Sequence, residues 1–558
     1  MPGLKFGRPA RVPRRAVQIF SLFLFLWLLW RTAWPMKEIF LPSEFFLRLD
    51  PLAALALPLA LREFIPSLLP GLGVLLLAVF FGRVFCGYIC PMGATLDLFR
   101  LSGGLITGRE KKLRAVPGLH RAKYLFLAVL LGSSLAGVNL VFWGSPLALI
   151  TRFYSLFLHP LLLLAADFSL EASRPLLSAL DFPSLAYASL NPRRFDSMYF
   201  ILFFFGLLFV LEGLRPRFWC SCLCPAGALL GLCSRRPLWR RRVGICGTCG
   251  QCSRICPSGA ILAEAPRICA HSECFACRAC ADICPVRGTS FAFRPEAVPD
   301  GDKVFPEAPP VPAFLPPRRA VLGMVGAGVI LASVQYSGVY SLLRPAARGN
   351  VWPDGLLRPP GSLPEAEFLL RCLRCGQCMK ACPTNGLQPA GPAFGPEALF
   401  SPVLLPRRGP CEPECNLCGL VCPSKAISSL RPEEKQWAKI GTAVVLRRSC
   451  LAWAEGRRCV VCQEVCPYGA ISLSRQENTP VPVPLVLAAR CFGCGYCEQH
   501  CPVRLPAIVV KPLNALRLAG GSYPEAAREA GLELILGDGE GGFDDFVPAG
   551  ELPPGFTE

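Results

Sequence analysis

A chain of 558 residues with 52% hydrophobic side chains and a mean hydropathy of +0.42 is too apolar to be soluble throughout, so part of it is expected in a membrane. The formal charge of +19 is uneven: residues 1–343 carry 36 Lys and Arg against 18 Asp and Glu, residues 344–558 carry 22 against 21. Most of the excess therefore belongs with the apolar part. No basic soluble domain remains for nucleic acid to bind, and 31 cysteines make metal chemistry the leading question.

In chain order, five apolar stretches can each cross roughly 30 Å of hydrocarbon, which takes about 20 helical residues: Val17–Trp34, Ile65–Phe81, Tyr124–Trp143, Met198–Leu214 and Ala320–Leu343. A sixth apolar run, residues 147–166, is expected to be broken by Arg152, His159 and Pro160, and so to form a re-entrant or interfacial helix. Basic flanks at Arg8, Arg11, Arg14 and Arg15, at Arg109–Arg114, and at Arg235, Arg236 and Arg240–Arg242 all fall on the cytoplasmic side by the positive-inside rule.

Within residues 1–235 a segment recurs. Residues 83–94 and 217–228 both read R-x-aromatic-C-x3-C-P-x-G-A, and Asp50-Pro51-Leu52-Ala53 is echoed by Ser145-Pro146-Leu147-Ala148. This predicts a duplicated helical hairpin. Two cysteines cannot close a cluster, but Cys86, Cys90, Cys220 and Cys224 from both copies supply four ligands for one further iron–sulfur centre. A helix running through the motif would put each i, i+4 pair on one face. Buried reduced thiols are the alternative.

Six cysteine runs, each ending in Cys-Pro, follow. Cys246, Cys249, Cys252 and Cys256, then Cys274, Cys277, Cys280 and Cys284, have the spacing C-x2-C-x2-C-x3-C-P, and form a cytoplasmic domain over 236–294. In this pattern three thiolates wrap one [4Fe–4S] cubane while the fourth reaches the neighbouring one. Cys284 is thus assigned to the Cys246 cluster and Cys256 to the Cys274 cluster. A Pro-rich linker spans 295–317. Arg318 and Arg319 then precede the fifth stretch, within 318–343, as a twin-arginine export signal or as ordinary topology charges; either way they are expected on the side of the 236–294 domain, with the last 215 residues outward.

Four more runs fill 344–511: Cys372, Cys375, Cys378, Cys382; Cys411, Cys415, Cys418, Cys422; Cys450, Cys459, Cys462, Cys466; and Cys491, Cys494, Cys497, Cys501. Together the six runs hold six [4Fe–4S] clusters. The first and fourth of these last runs share C-x2-C-G-x-C, which suggests pairing first with fourth and second with third; sequential pairing is the other possibility. The tail 512–558 ends in Asp538, Glu540, Asp544, Asp545, Glu551 and Glu558 without Lys or Arg after residue 537, so it is expected to be disordered. It is either a solvated tail or a tether for a basic acceptor.

Absences narrow the chemistry. The chain has no C-x-x-C-H for covalent haem, four histidines in all, no G-x-G-x-x-G opening a strand–helix unit and no P-loop. What can feed a haem-free membrane wire is a quinol. His159, near Asp167 and Glu171 at the expected outer interface, is its candidate binding residue.

The cysteine pattern resembles the NapH and NapG polyferredoxins, with MauN, MauM and the membrane half of NosR sharing the modules. Residues 1–300 are similar to NapH, four spans with two C-x3-C-P motifs and a two-cubane domain; residues 318–511 are similar to the four-cubane NapG. The resemblance implies an α+β chain: a polytopic α-helical membrane domain of about five spans carrying two ferredoxin-like modules. It also implies an inner-membrane quinol dehydrogenase-like electron-transfer protein serving a periplasmic redox partner, a multihaem cytochrome or molybdenum reductase. An accessory or maturation factor is the alternative. The resemblance extends to the four-cluster subunits of molybdenum reductases, which implies the same first-with-fourth and second-with-third pairing.

Overall fold

A computed structural model describes residues 11–33, 41–107, 117–179, 193–244, 246–262, 265–293, 315–336, 356–476 and 479–535. Arg8, the basic loop Arg109–Arg114, most of the Pro-rich linker, the fifth stretch beyond Tyr336 and the acidic tail lie outside these residues.

The N-terminal part is a helical bundle: α1 (Arg11–Trp30), α2 (Pro51–Leu61), α3 (Leu69–Phe81), α4 (Pro91–Thr107), α5 (Pro117–Leu135), α6 (Pro146–Phe153), α7 (His159–Ala179), α8 (Met198–Leu214), α9 (Pro225–Cys233) and α10 (Arg318–Tyr336). Capping chemistry fixes where the repeated helices begin. Asp50 accepts from the amides of Leu52 (2.9 Å) and Ala53 (3.3 Å), Ser145 accepts from that of Ala148 (3.0 Å), and a proline sits at the first helical position of each. The Ser145 hydroxyl also donates to the Asp50 carboxylate, so the two copies meet at their caps.

Among the described residues, Pro146–Pro175 is long and apolar enough to cross a membrane by length and composition; Pro51–Leu61, Pro66–Phe81 and Met198–Gly213 are apolar but shorter. Five full-length spans are therefore not what the described residues display. The run over Arg152, His159 and Pro160 is also not broken. A π-turn at Tyr154–Leu158 joins α6 to α7, widening the backbone just where the Pro160 ring would meet the carbonyl one turn back.

Backbones touch where α10 packs on α5. A Cβ on Gly132 would strike Val325, and one on Gly328 would strike Val129. That pairing makes the helices antiparallel and places Arg318 at the Leu135 end of α5. The direction expected from charge, with Arg318 and Arg319 beside the 236–294 domain, is reversed by this packing.

Two modules sit on the bundle. In the first, β1 (Trp239–Val243) pairs antiparallel with β2 (Thr289–Phe293). In the second, β3 (Leu387–Pro389) pairs with β4 (Pro402–Leu404), β5 (Thr442–Val445) with β8 (Ile508–Lys511), and β6 (Ile471–Ser474) with β7 (Val483–Val486). Three helices show that the modules occupy opposite ends of the bundle. Ser67, ahead of α3, bonds Pro423 O (2.8 Å), whereas Arg83, after it, bonds Glu273 (3.0 Å). Tyr124 in α5 bonds Glu273 (2.9 Å), and Asn139 beyond its end bonds Leu370 O (2.7 Å). Asp196 before α8 pairs with Arg408 (2.7 Å), and Arg215 after it reaches Ser258 O (3.4 Å). Seventeen helical residues in α8 rise about 25 Å between the two ends.

Candidate iron–sulfur centres

The helix does not run through the C-x3-C-P motif. It stops at the second cysteine, an extended residue (Cys224 φ −68°, ψ 110°) that caps the next helix, and its sulfur accepts from the Gly227 amide at 3.3 Å. Proline at the first helical position then costs no hydrogen bond. This turn brings both copies together: Cys86, Cys90, Cys220 and Cys224 are all buried, and Cys220 lies within electrostatic reach of the other three.

The two repeat arginines are exchanged. Arg83 of the first copy donates to the carbonyl of Cys220 (3.0 Å), and Arg217 of the second donates to that of Cys86 (2.6 Å). A Cβ on Gly93 would lie 3.3 Å from the Arg217 guanidinium, and one on Gly227 2.5 Å from that of Arg83. The glycine in each motif is thus the seat of the other copy's arginine. Two buried cations beside four thiols suit a group whose ligands are thiolates.

Next to this set lies the first module. Cys274, Cys277 and Cys280 gather with Cys256, the swap expected from the spacing. Of the other set, Cys252 neighbours Cys246, Cys249 is exposed, and Cys284 is half-buried. Phe275 is stacked between the arginines, its ring centroid 4.9 Å from the Arg83 guanidinium and 5.1 Å from that of Arg217. Its carbonyl would be 2.7 Å from a Cβ on Gly87, which leaves room for glycine alone. Glu273 is fully buried and takes ion pairs from Arg83 and Lys123 and a hydrogen bond from Tyr124; His120 stands 3.6 Å away. Burial pushes this carboxyl up, but Lys123, His120 and Arg83 together hold it well below the usual carboxylate range.

In the C-terminal module the pairing is sequential. Cys372, Cys375 and Cys378 gather with Cys422, and Cys411, Cys415 and Cys418 with Cys382. Cys450, Cys459 and Cys462 gather with Cys501, and Cys491, Cys494 and Cys497 with Cys466. The first-with-fourth expectation was wrong because it weighed motif likeness, whereas the fold pairs each run with the run nearest in sequence. Two of the sets line cavities: Cys382, Cys411, Cys415 and Cys418 one of them, and Cys450, Cys459, Cys462 and Cys501 the other. Burial holds the thiol of Cys415 up at about 11 and those of Cys375 and Cys462 at about 12. Packed four together, such thiols ionise only with a positive centre among them, which cluster iron supplies. Amides already aim at the sulfurs: Ala443 at Cys491, Ala470 at Cys466 and Ala507 at Cys501, each at 3.3 Å.

This module meets the bundle at its Cys372 set. Asn139 bonds the Cys372 carbonyl (3.2 Å), Arg152 the Arg374 carbonyl (3.0 Å), and the Arg374 guanidinium lies 3.7 Å from the Phe142 ring centroid. Gly144, two residues on, abuts Pro225, which follows Cys224. His159 lies at the same boundary, its ring 5.7 Å from Trp30 and its Nδ1 buried without a hydrogen-bond partner, near Lys380 and Arg193. Asp167 and Glu171 lie two and three turns further along α7 and do not join it. Sequence reasoning found the cysteines and missed the residues between the sets, although Arg83, Arg217, Gly93 and Gly227 stand in both copies of the repeat.

Comparison with known proteins finds 4Fe-4S domains over part of these cysteine sets. A 4Fe-4S binding domain model matches residues 64–109 and 197–246, the two C-x3-C-P copies, and another matches 369–388; a 4Fe-4S dicluster domain model matches 456–505. Methylamine utilization ferredoxin-type protein MauM of Methylophilus methylotrophus is 36% identical over 200 residues, 35% of this chain and 84% of the relative. Ferredoxin-type protein NapG of Escherichia coli is 37% identical over 205 residues, 35% and 82%. Ferredoxin-type protein NapH of Haemophilus influenzae is 26% identical over 261 residues, 44% and 75%. No solved structure matches. With NapG-like and NapH-like parts in one polypeptide, the chain belongs to the MauM/NapG family of ferredoxin-type iron–sulfur proteins.

Proposed function

We propose that this chain is a membrane-bound, quinol dehydrogenase-like electron-transfer protein of the bacterial inner membrane, with the 356–535 module on the periplasmic side. The observation that carries the reading is the four-cysteine set of Cys86, Cys90, Cys220 and Cys224, in contact through Phe275 with one ferredoxin module and through Pro225, Gly144 and Phe142 with the other. Six [4Fe–4S] clusters and one further iron–sulfur centre then form a single wire from end to end of the bundle. Hydrocarbon alone is too thick for a direct step, and the buried centre divides the distance.

Lipid accounts for the outward apolar side chains between the modules, including Phe20, Phe23, Leu76, Phe203, Leu322 and Ile330, all well exposed. Quinol is assigned to the boundary at His159, where an unpartnered buried imidazole nitrogen faces the aromatic Trp30 and lies near Lys380, between the ligands Cys378 and Cys382. The imidazole would accept one of the two protons that quinol releases on oxidation to quinone, the other passing to solvent, and a cluster held by Cys372, Cys375, Cys378 and Cys422 would take the two electrons one at a time and pass them on. A periplasmic redox protein receives electrons from the C-terminal module.

The test is anaerobic addition of a short-chain quinol to membranes carrying this chain alone. Reduced-cluster signals that appear in the wild type and are lost in His159→Ala support the reading. Clusters that stay oxidised in the wild type leave an accessory or maturation role.

A further inference from the structure

Contacts between the sets give the C-terminal module an order. The Cys372 set abuts the bundle and shares motif-swapped ligands with the Cys411 set. The Cys411 amide donates to the Cys494 carbonyl (2.7 Å), which joins that set to the Cys491 set. The Cys491 set is in turn tied by the Cys466/Cys501 swap to the Cys450 set. The wire therefore ends at Cys450, Cys459, Cys462 and Cys501, whose cavity is walled by apolar residues including Val445, Leu451, Val461, Pro484 and Ile508.

The surface over this last set is basic. Arg447, Arg448, Arg457, Arg458 and Arg504 are exposed and within three residues of side chains that line the cavity; Glu455 and Glu464 are the carboxylates on the same segments. Only Arg457 among the five pairs with a carboxylate among the described residues, Glu455 at 3.4 Å. Leu446 and Leu505 are exposed beside the arginines, Leu505 to 78%. Residues 344–558 are almost neutral as a whole, so this concentration is local. Exposed apolar contacts beside a rim in which one charge predominates, five arginines against two carboxylates here, are what a redox partner of opposite charge docks on.

We propose that the rim formed by Arg447, Arg448, Arg457, Arg458 and Arg504 is the docking surface for an acidic electron-carrier protein, which exchanges single electrons with the Cys450 set. This rests on the electron-transfer reading above. Each step oxidises one cluster by one electron and reduces the carrier by one, with no bond made or broken.

The test uses the full chain in detergent, reduced with dithionite and mixed with either native cytochrome c, which is basic, or its succinylated acidic derivative. At low salt the acidic carrier is expected to be reduced about tenfold faster. That advantage shrinks as ionic strength passes about 0.1 M, where the Debye length is about 10 Å. Combined Arg447→Glu, Arg448→Glu and Arg458→Glu should reverse the preference with iron content and cluster spectra unchanged, and the three Arg→Lys changes should keep it. Equal rates for the two carriers, or an unaltered preference in the Glu variant, overturn the docking surface. Should the Glu variant lose its clusters, the wild-type salt dependence and the Lys variant decide. A chain that reduces neither carrier overturns the electron-transfer reading, and the docking surface with it.

Discussion

Glu273 is the single carboxylate joining the first ferredoxin module to the bundle at Arg83, Lys123 and Tyr124, and Glu273→Gln tests what that junction is worth. The amide keeps the shape and can still accept from Tyr124. It removes the one carboxylate that, among the described residues, ion-pairs with both of two fully buried cations, Arg83 and Lys123. Breaking a buried ion pair by neutralising one partner costs about 3–5 kcal/mol, because the remaining charges stay buried and uncompensated. At about 1.4 kcal/mol per tenfold, that is a loss of about two to three and a half orders of magnitude in the docked population. Amide hydrogen exchange of the full chain should then show loss of protection at residues 271–276 and at 119–124, with the 356–535 module unchanged. Lys123→Met in the same chain removes one stranded cation and should restore part of the protection, a coupling that only direct contact produces. Wild-type exchange in Glu273→Gln would refute the account of this junction.

Pairing of the C-terminal sets is tested by Cys372→Ser and Cys422→Ser, which should abolish the same paramagnetic signal, while Cys501→Ser abolishes the one lost in Cys450→Ser; loss of a common signal in Cys372→Ser and Cys501→Ser would contradict it. Gly227→Ala, with a Cβ 2.5 Å from the Arg83 guanidinium, should cost about 1–3 kcal/mol in thermal unfolding and disturb the buried centre, whereas Gly73→Ala, which has open space, should do neither. Reconstituted protein should hold about 24 iron atoms in its six cubanes, more with the further centre, and eight or fewer would sink the assignment. Stripping the iron with a chelator should unfold the 356–535 module, whose buried thiols lose the charge that gathers them; retained near-ultraviolet dichroism would argue against that.

The cysteine sets were legible because cluster geometry imposes a fixed spacing on a local stretch of chain, and Cys256 lies with the Cys274 set as that spacing implies. The repeat also told which four cysteines meet in the bundle. What it could not tell was how. The sequence left open whether a helix runs through C-x3-C-P; instead Cys224 caps a new helix, because proline at its first position and an accepting sulfur favour a start there. Long-range matters were least readable: the sequential pairing of Cys378 and Cys382 with the second run, the direction of α10, and Glu273 as a hub are set by packing between segments far apart in sequence. The unbroken helix over Pro160 was missed for a local reason, a π-turn that no residue pattern announces.

Electron passage through Cys86, Cys90, Cys220 and Cys224 is the central claim, and proteoliposomes that enclose ferricyanide, with dithionite added outside, test it most directly. Wild-type chain should bleach the enclosed ferricyanide, and the double variant Cys86→Ser, Cys220→Ser should not, while both keep the signals of six cubanes. Equal bleaching by wild type and variant would contradict the claim.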